Sequence, residues 1–315
     1  MIRTPTYKGA LAAARSVSMI LRMTPLLPVE INGVDCHVKA ENLQPIGAFK
    51  IRGAWWRLSH LNRNERAGGV VAVSSGNHAQ GVAWAAKRLG INATIVMPRD
   101  APKVKLENTK ALGAQVVLYD RPGEDRDEVA AKLINERGGT FVHAFGDPWV
   151  IEGQGSAGIE LTQQIGNGGP SRIIACCGGG GLAAGLALAC PDADIHVVEP
   201  QGWDMVGQAL KSGDIVHAGS DAPKTICDAL QPTATKPINL DVLKGRASPG
   251  LTVADEEVRQ AQRWAFAHLQ MVLEPGGAAA LAAALADKVE LDERSVIMLT
   301  GGNADPDAFA ATLTA

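Results

Sequence analysis

Val70-Val71-Ala72-Val73-Ser74-Ser75-Gly76-Asn77-His78 decides the fold class: four small or β-branched residues suit a buried strand, and they run straight into a polar, glycine-containing turn where a helical pattern opens at Asn77. Outward from this stretch the same order repeats. Strands at Ala93–Met97, Gln115–Leu118 and Thr140–Val142 alternate with helices beginning near Pro102 and Gly123, enough for one compact sheet. A longer series follows: helix Pro148–Ile165, strand Arg172–Cys177, a helix from Leu182, strand Ile195–Glu199, helices around Trp203–Leu210 and Asp255–Leu269, and strand Ser295–Leu299. Repeated βαβ units predict an α/β fold with two open, twisted, mostly parallel sheets flanked by helices. Upstream, Asn32-Gly33 separates Leu26–Ile31 from Cys36–Ala40 and suits the positive φ angles of a type I′ hairpin turn; the hairpin is free to join either sheet. Gly213 to Pro249 reads as an irregular connector over a sheet end.

At about 100–200 residues per domain, a chain of 315 residues predicts two domains with ample core. Thirty basic against 33 acidic side chains leave a formal charge of −3, with 46% hydrophobic and 20% charged residues. That balance excludes disordered and fibrous classes and gives no electrostatic footprint for nucleic acid or an anionic membrane, so the expected partners are small molecules. The five cysteines (Cys36, Cys176, Cys177, Cys190 and Cys227) show neither a disulfide framework nor zinc spacing, and read as small hydrophobes in a reducing cytosol. Arg15 interrupts the apolar stretch Gly9–Leu21, which reads as an amphipathic helix rather than a signal peptide. The longest apolar runs, Gly178–Cys190 and Pro275–Ala286, fall short of the roughly 20 residues that a membrane span needs. A cytoplasmic location is the expectation.

Open parallel sheets bind ligands at the carboxyl ends of their strands. Three glycine-bearing turns stand there, Ser74–His78, Gly178–Gly181 and Thr300-Gly301-Gly302-Asn303, and they should converge on one crevice. Gly178–Gly181 opens a helix, and backbone N–H groups free of side chains make a phosphate cradle. On this segment alone three readings stand. Gly179-x-Gly181-x-x-Ala184, with Glu199 twenty residues after Gly179, fits a dinucleotide fingerprint; another phosphate ligand fits as well; and the run has a purely structural reading as a turn. Lys50, between Phe49 and Ile51, is the second candidate, because apolar surroundings release a lysine proton and make the amine a nucleophile or base.

Pro45-x-Gly47-x-Phe49-Lys50-x-Arg52-Gly53, Ser74-Ser75-Gly76-Asn77-His78, Gly178–Gly181, Glu274-Pro275 and Thr300-Gly301-Gly302-Asn303 occur in the order and approximate spacing of the pyridoxal 5′-phosphate (PLP) enzymes of the tryptophan synthase β-like fold (fold type II). Within that fold the chain resembles the serine/threonine dehydratase and serine racemase branch, over roughly residues 20–305. The resemblance decides against the dinucleotide. It implies that Lys50 binds the cofactor covalently and abstracts the substrate α-proton, with Phe49 beside it at the cofactor, and that Ser75 lies on the opposite cofactor face, where racemases of the branch place their second acid/base. It further implies that Asn77 bonds the cofactor 3′-oxygen, that Gly178, Gly179, Gly180, Gly181 and Leu182 hold the 5′-phosphate, and that Thr300 faces the pyridine nitrogen. The turn Ser74, Ser75, Gly76, Asn77 and His78 would hold the substrate carboxylate, with Arg126 as a partner for its distal end or else a solvated charge. In this branch a divalent cation is often held by the glutamate of a Glu-Pro pair and an acidic residue six positions on. Here Glu199-Pro200 is followed by Met205 at that position, with Asp204 one short, so Glu199 is left to cap a strand end or meet a monovalent cation.

A hydroxyl facing the ring nitrogen leaves the ring unprotonated and the carbanion short-lived, which favours loss of a β-substituent over transamination. The resemblance thus implies a lyase that dehydrates and deaminates a β-hydroxy amino acid to a 2-oxo acid and ammonia, serine or threonine first and 3-hydroxyaspartate next. Racemisation on the same scaffold is the nearest alternative and an NAD(P)-binding oxidoreductase the more distant one. A large cofactor-binding domain of residues 1–68 and 145–315, a small closing domain of residues 69–144 and a homodimer complete the expectation. Trp55, Trp56 and Trp84 read as packing residues and His143 as a structural histidine.

Overall fold

The computed structural model describes residues 3–101, 103–120, 123–166 and 168–314. Pro102, read above as a helix start, lies outside them. The first half of the chain runs α1 (Tyr7–Ser18), β1 (Leu26–Ile31), β2 (Val34–Ala40), α2 (Lys50–Ser59), α3 (Arg63–Gly68), β3 (Val70–Val73), α4 (Asn77–Leu89), β4 (Ala93–Pro98), α5 (Lys103–Ala111), β5 (Gln115–Tyr119), α6 (Arg126–Arg137) and β6 (Thr140–Phe141). The second runs α7 (Pro148–Ile165), β7 (Arg172–Cys176), α8 (Gly181–Ala189), β8 (Asp194–Pro200), α9 (Met205–Ser212), α10 (Pro237–Leu243), β9 (Leu251–Val253), α11 (Asp255–Leu269), α12 (Pro275–Leu285), β10 (Ser295–Leu299) and α13 (Pro306–Thr314).

Two sheets result. The larger has the order β1-β2-β10-β7-β8-β9 and the smaller β5-β4-β3-β6. Every pairing is parallel except the β1–β2 hairpin, whose turn residues Asn32 and Gly33 have φ of 51° and 80° as a type I′ turn requires. The hairpin joins the larger sheet, with Val38 opposite Ile297.

Both sheets are covered on both faces, so their strands read as apolar runs rather than alternating ones. In the larger sheet Ile173 and Ala175 pack with α7 and α8, while Ile174 and Cys176 turn to α11 and α12. In the smaller, Val70, Ala72, Ile95 and Met97 face the core built with α2 and α4, and Val71 and Val96 face α6. Several boundaries move from the sequence reading. The fourth strand of the small sheet ends at Phe141, α6 waits for the Asp125 cap, and α9 begins at Met205. The connector after Gly213 also holds α10 and a 3-10 turn at Asp228–Leu230.

Helix α7 sets the spacing of the site. A Cβ on Gly153 would lie 2.6 Å from Gly53 Cα, and one on Gly155 2.7 Å from the Gly185 carbonyl oxygen. Glycine therefore brings the backbones of α2 and α8 onto opposite stretches of α7 at distances no side chain permits. The start of α2 carries Lys50, and the start of α8 follows the glycine run.

Candidate active site

One cavity of about 620 Å³ opens between the two sheets, and Lys50, Phe49, Ser74–His78, Arg126, Gly178–Gly181, Leu182 and Thr300 all line it. The three glycine-bearing turns thus converge as strand-end geometry demands. Glu199 is elsewhere. Buried at the end of β8, it accepts N–H from Val206 (2.9 Å) and Gly207 (2.8 Å) and so caps α9. Among the described residues no cluster of metal-ligating side chains forms.

Lys50 is the first residue of α2 and donates to the Ala144 carbonyl at 2.9 Å. Burial pulls its amine down from 10.5 to about 8, and no carboxylate pairs with it among the described residues. Helix α8 begins at Gly181, so the N–H groups of its first turn lack intrahelical acceptors and favour an anion. Gly180 has φ of 88°, and the Phe145 ring lies where any Gly179 side chain would stand. Thr235 holds the loop from below by donating to the Gly179 carbonyl at 3.0 Å.

Asn77 donates to Glu274 (2.5 Å) and accepts from Asn303 (2.7 Å), whose amide also reaches the Ile46 carbonyl (2.9 Å). The Asn77 amide is thereby oriented by two separate segments, one of which is itself tied to Ile46. Burial raises the Glu274 carboxyl to about 7. Thr300 is buried beside Cys176, Oγ1 to Sγ 2.9 Å, and burial pushes that thiol up to about 11, so it stays protonated. In the Ser74–His78 turn, the Gly76 N–H already meets Ser74 Oγ (3.1 Å) and His78 Nε2 lies 2.9 Å from the Val142 carbonyl. Burial lowers the His78 ring to about 3, so it faces Val142 as a neutral donor. Ser75 has no hydrogen-bond partner among the described residues.

The tryptophans stay outside the cavity. Trp55 bonds Ser16, Trp56 bonds Glu152, and Trp84 meets the edge of Trp55 at 6.1 Å. Sequence reasoning gave no role to Glu274, Cys176, Lys105, Lys236 or Phe145, all of which line the cavity. Of these only Glu274 had a signal, its proline partner.

A nucleophilic amine, an anion cradle at a helix start and uncharged hydrogen-bonding groups in one cavity define a site for a phosphorylated aldehyde cofactor, and they fit PLP without rearrangement of charge. The chain belongs to the pyridoxal-phosphate dependent enzymes, whose family model matches residues 17–301. It is 38% identical to the serine racemase of Schizosaccharomyces pombe over 98% of each chain. It is 36% identical to the L-threo-3-hydroxyaspartate ammonia-lyase of Saccharomyces cerevisiae, over 98% of this chain and 97% of that one. The structure of maize serine racemase superposes with a TM-score of 0.91 at 31% identity, covering 99% of this chain and 98% of the other. The fold is that of the tryptophan synthase β-like PLP enzymes.

Proposed function

We propose that the enzyme is a lyase that eliminates water from a β-hydroxy amino acid, releasing a 2-oxo acid and ammonia, and that its substrate carries a second carboxylate, as 3-hydroxyaspartate does. One observation carries the substrate: Arg126 and Lys236 both line the cavity. Arg126 and Lys236 have no ion-pair partner among the described residues. A second carboxylate on the substrate would give these two cations a partner, which serine and threonine lack. That moves 3-hydroxyaspartate ahead of the other two.

PLP, when bound, supplies the electron sink for cleavage at the α-carbon. Lys50, as a neutral amine, takes the α-proton. The orphan N–H groups of α8 would hold the phosphate, the Asn77 amide would meet the 3′-oxygen, Thr300 would offer its hydroxyl to the ring nitrogen, and the backbone of Ser74–His78 would hold the α-carboxylate. Arg126 orients the distal carboxylate. Ser75, unpaired in the same cavity as Lys50, supports racemisation as a second reading, since the resemblance puts its hydroxyl on the cofactor face opposite Lys50, where it would complete a two-base pair. A homodimer is the proposed assembly, to be checked by light scattering.

The experiment is borohydride reduction of the purified, PLP-loaded enzyme followed by peptide mass spectrometry, then assay of 2-oxo acid release. A pyridoxyl group on Lys50 and a kcat/KM for 3-hydroxyaspartate above those for serine and threonine are expected. In Ser75→Ala racemisation should vanish while elimination persists at reduced rate. Label on another lysine overturns the assignment of Lys50.

A further inference from the structure

We infer that His143 is a positioning residue for Lys50: its Nδ1 gathers two backbone N–H groups and so aims the Ala144 carbonyl at the Lys50 amine. The inference rests on the reading of Lys50 as the cofactor-binding amine.

His143 Nδ1 accepts from Phe145 N (3.2 Å) and Gly146 N (2.8 Å), the residues two and three further along. Asn62, Asp125 and Asp147 make the same pattern, each accepting N–H from residues two and three ahead to start a helix. An imidazole here imitates an Asx side chain. Two donors on Nδ1 require that nitrogen to be unprotonated, which leaves the ring proton of the neutral imidazole on Nε2.

The turn it builds joins β6 to α7, and two of its carbonyls meet side chains of the site. The Ala144 carbonyl accepts from Lys50 Nζ at 2.9 Å, the Phe145 carbonyl accepts from Asn239 Nδ2 at 3.0 Å, and the Phe145 ring lies against Gly179. A neutral amine that donates one N–H to Ala144 keeps its lone pair for the cofactor aldehyde or the α-proton. Releasing Phe145 N and Gly146 N would let the peptide rotate and remove the acceptor.

The test compares His143→Asn, which keeps an acceptor at the right reach, with His143→Leu, which keeps bulk and loses the acceptor. The full chain is stripped of cofactor and Lys50 labelling by an amine reagent is followed by mass spectrometry, alongside PLP affinity from the visible absorbance and the split between kcat and KM. The leucine chain should label Lys50 about tenfold more slowly and bind PLP about tenfold more weakly, while the asparagine chain stays within about threefold of wild type. If the leucine chain does not fold, His143→Gln, whose side chain is too long to close the turn, replaces it. Equal behaviour of the two variants in both assays overturns the inference and leaves the cofactor reading intact. Absence of a pyridoxyl adduct at Lys50 in the wild type overturns the cofactor reading itself.

Discussion

At the scale of the residue, Lys50 shows why an apolar setting matters more than a strong base. Its pKa near 8, against 10.5 unperturbed, means that the ammonium form is penalised by burial in the folded chain. The penalty is present below about pH 8 and disappears as pH rises through 10.5, so this group adds stability with rising pH across that window. The same shift sets reactivity, because only the neutral amine attacks an aldehyde. The rate of PLP capture by cofactor-free enzyme, followed by absorbance, should rise tenfold per pH unit up to about pH 8 and level off above it; a plateau delayed to pH 10 would contradict the burial argument. Lys50 was legible in the sequence because its neighbours Phe49 and Ile51 are local. Glu274 was marked only by its proline neighbour and Lys236 not at all, since Asn77 lies 197 residues from Glu274 and Lys236 meets the turn at Gly146 only once the chain is folded. Arg126 was legible only through the family motif, because the charges around it in sequence read equally well as solvated.

At the scale of the element, α2 is anchored two residues beyond Lys50 by Arg52, fully buried between Glu41 and Glu160. Lys39 shares Glu160 at 2.9 Å, and Arg52 holds the Glu41 carboxyl down at about 2 in spite of its burial. Removing the guanidinium leaves the buried Glu41 carboxylate without a cation and Glu160 with Lys39 alone. Arg52→Ala should cost about 3–5 kcal/mol, read from the urea midpoint, with loss of PLP at lower denaturant than in wild type. The start of α8 gives a second test. A Cβ on Gly181 would stand 2.8 Å from Phe145 Cβ, so Gly181→Ala should displace the glycine loop and weaken PLP binding about tenfold while the fold persists. Strand and helix alternation made most of these elements readable in advance. Three-residue β9, at the edge of the larger sheet, and α10, within the irregular connector, were not, because such short elements owe their form to neighbours rather than to periodicity. The sheet that receives the β1–β2 hairpin was also beyond sequence reading, since its partner β10 lies some 260 residues on.

At the scale of the whole molecule, the cavity is bounded by elements of both sheets, and one ion pair spans them. Lys105 of α5 meets Asp228 of the 3-10 turn near the larger sheet at 2.6 Å, and both line the cavity. A half-exposed pair of this kind contributes about 0.2–1 kcal/mol and is screened by salt, too little to hold the fold but enough to bias the closed arrangement of a cleft. In the proposed elimination, a closed cleft would keep water from the reacting α-carbon. In Lys105→Ala the KM for the hydroxy amino acid should rise about two- to fivefold with Tm unchanged, and the dependence of KM on ionic strength seen in wild type should flatten. The two effects must appear together. A raised KM that keeps its salt dependence would place Lys105 in direct contact with the substrate carboxylate instead, and a lowered Tm with unaltered KM would make the pair a strut of the fold rather than a clasp on the cleft.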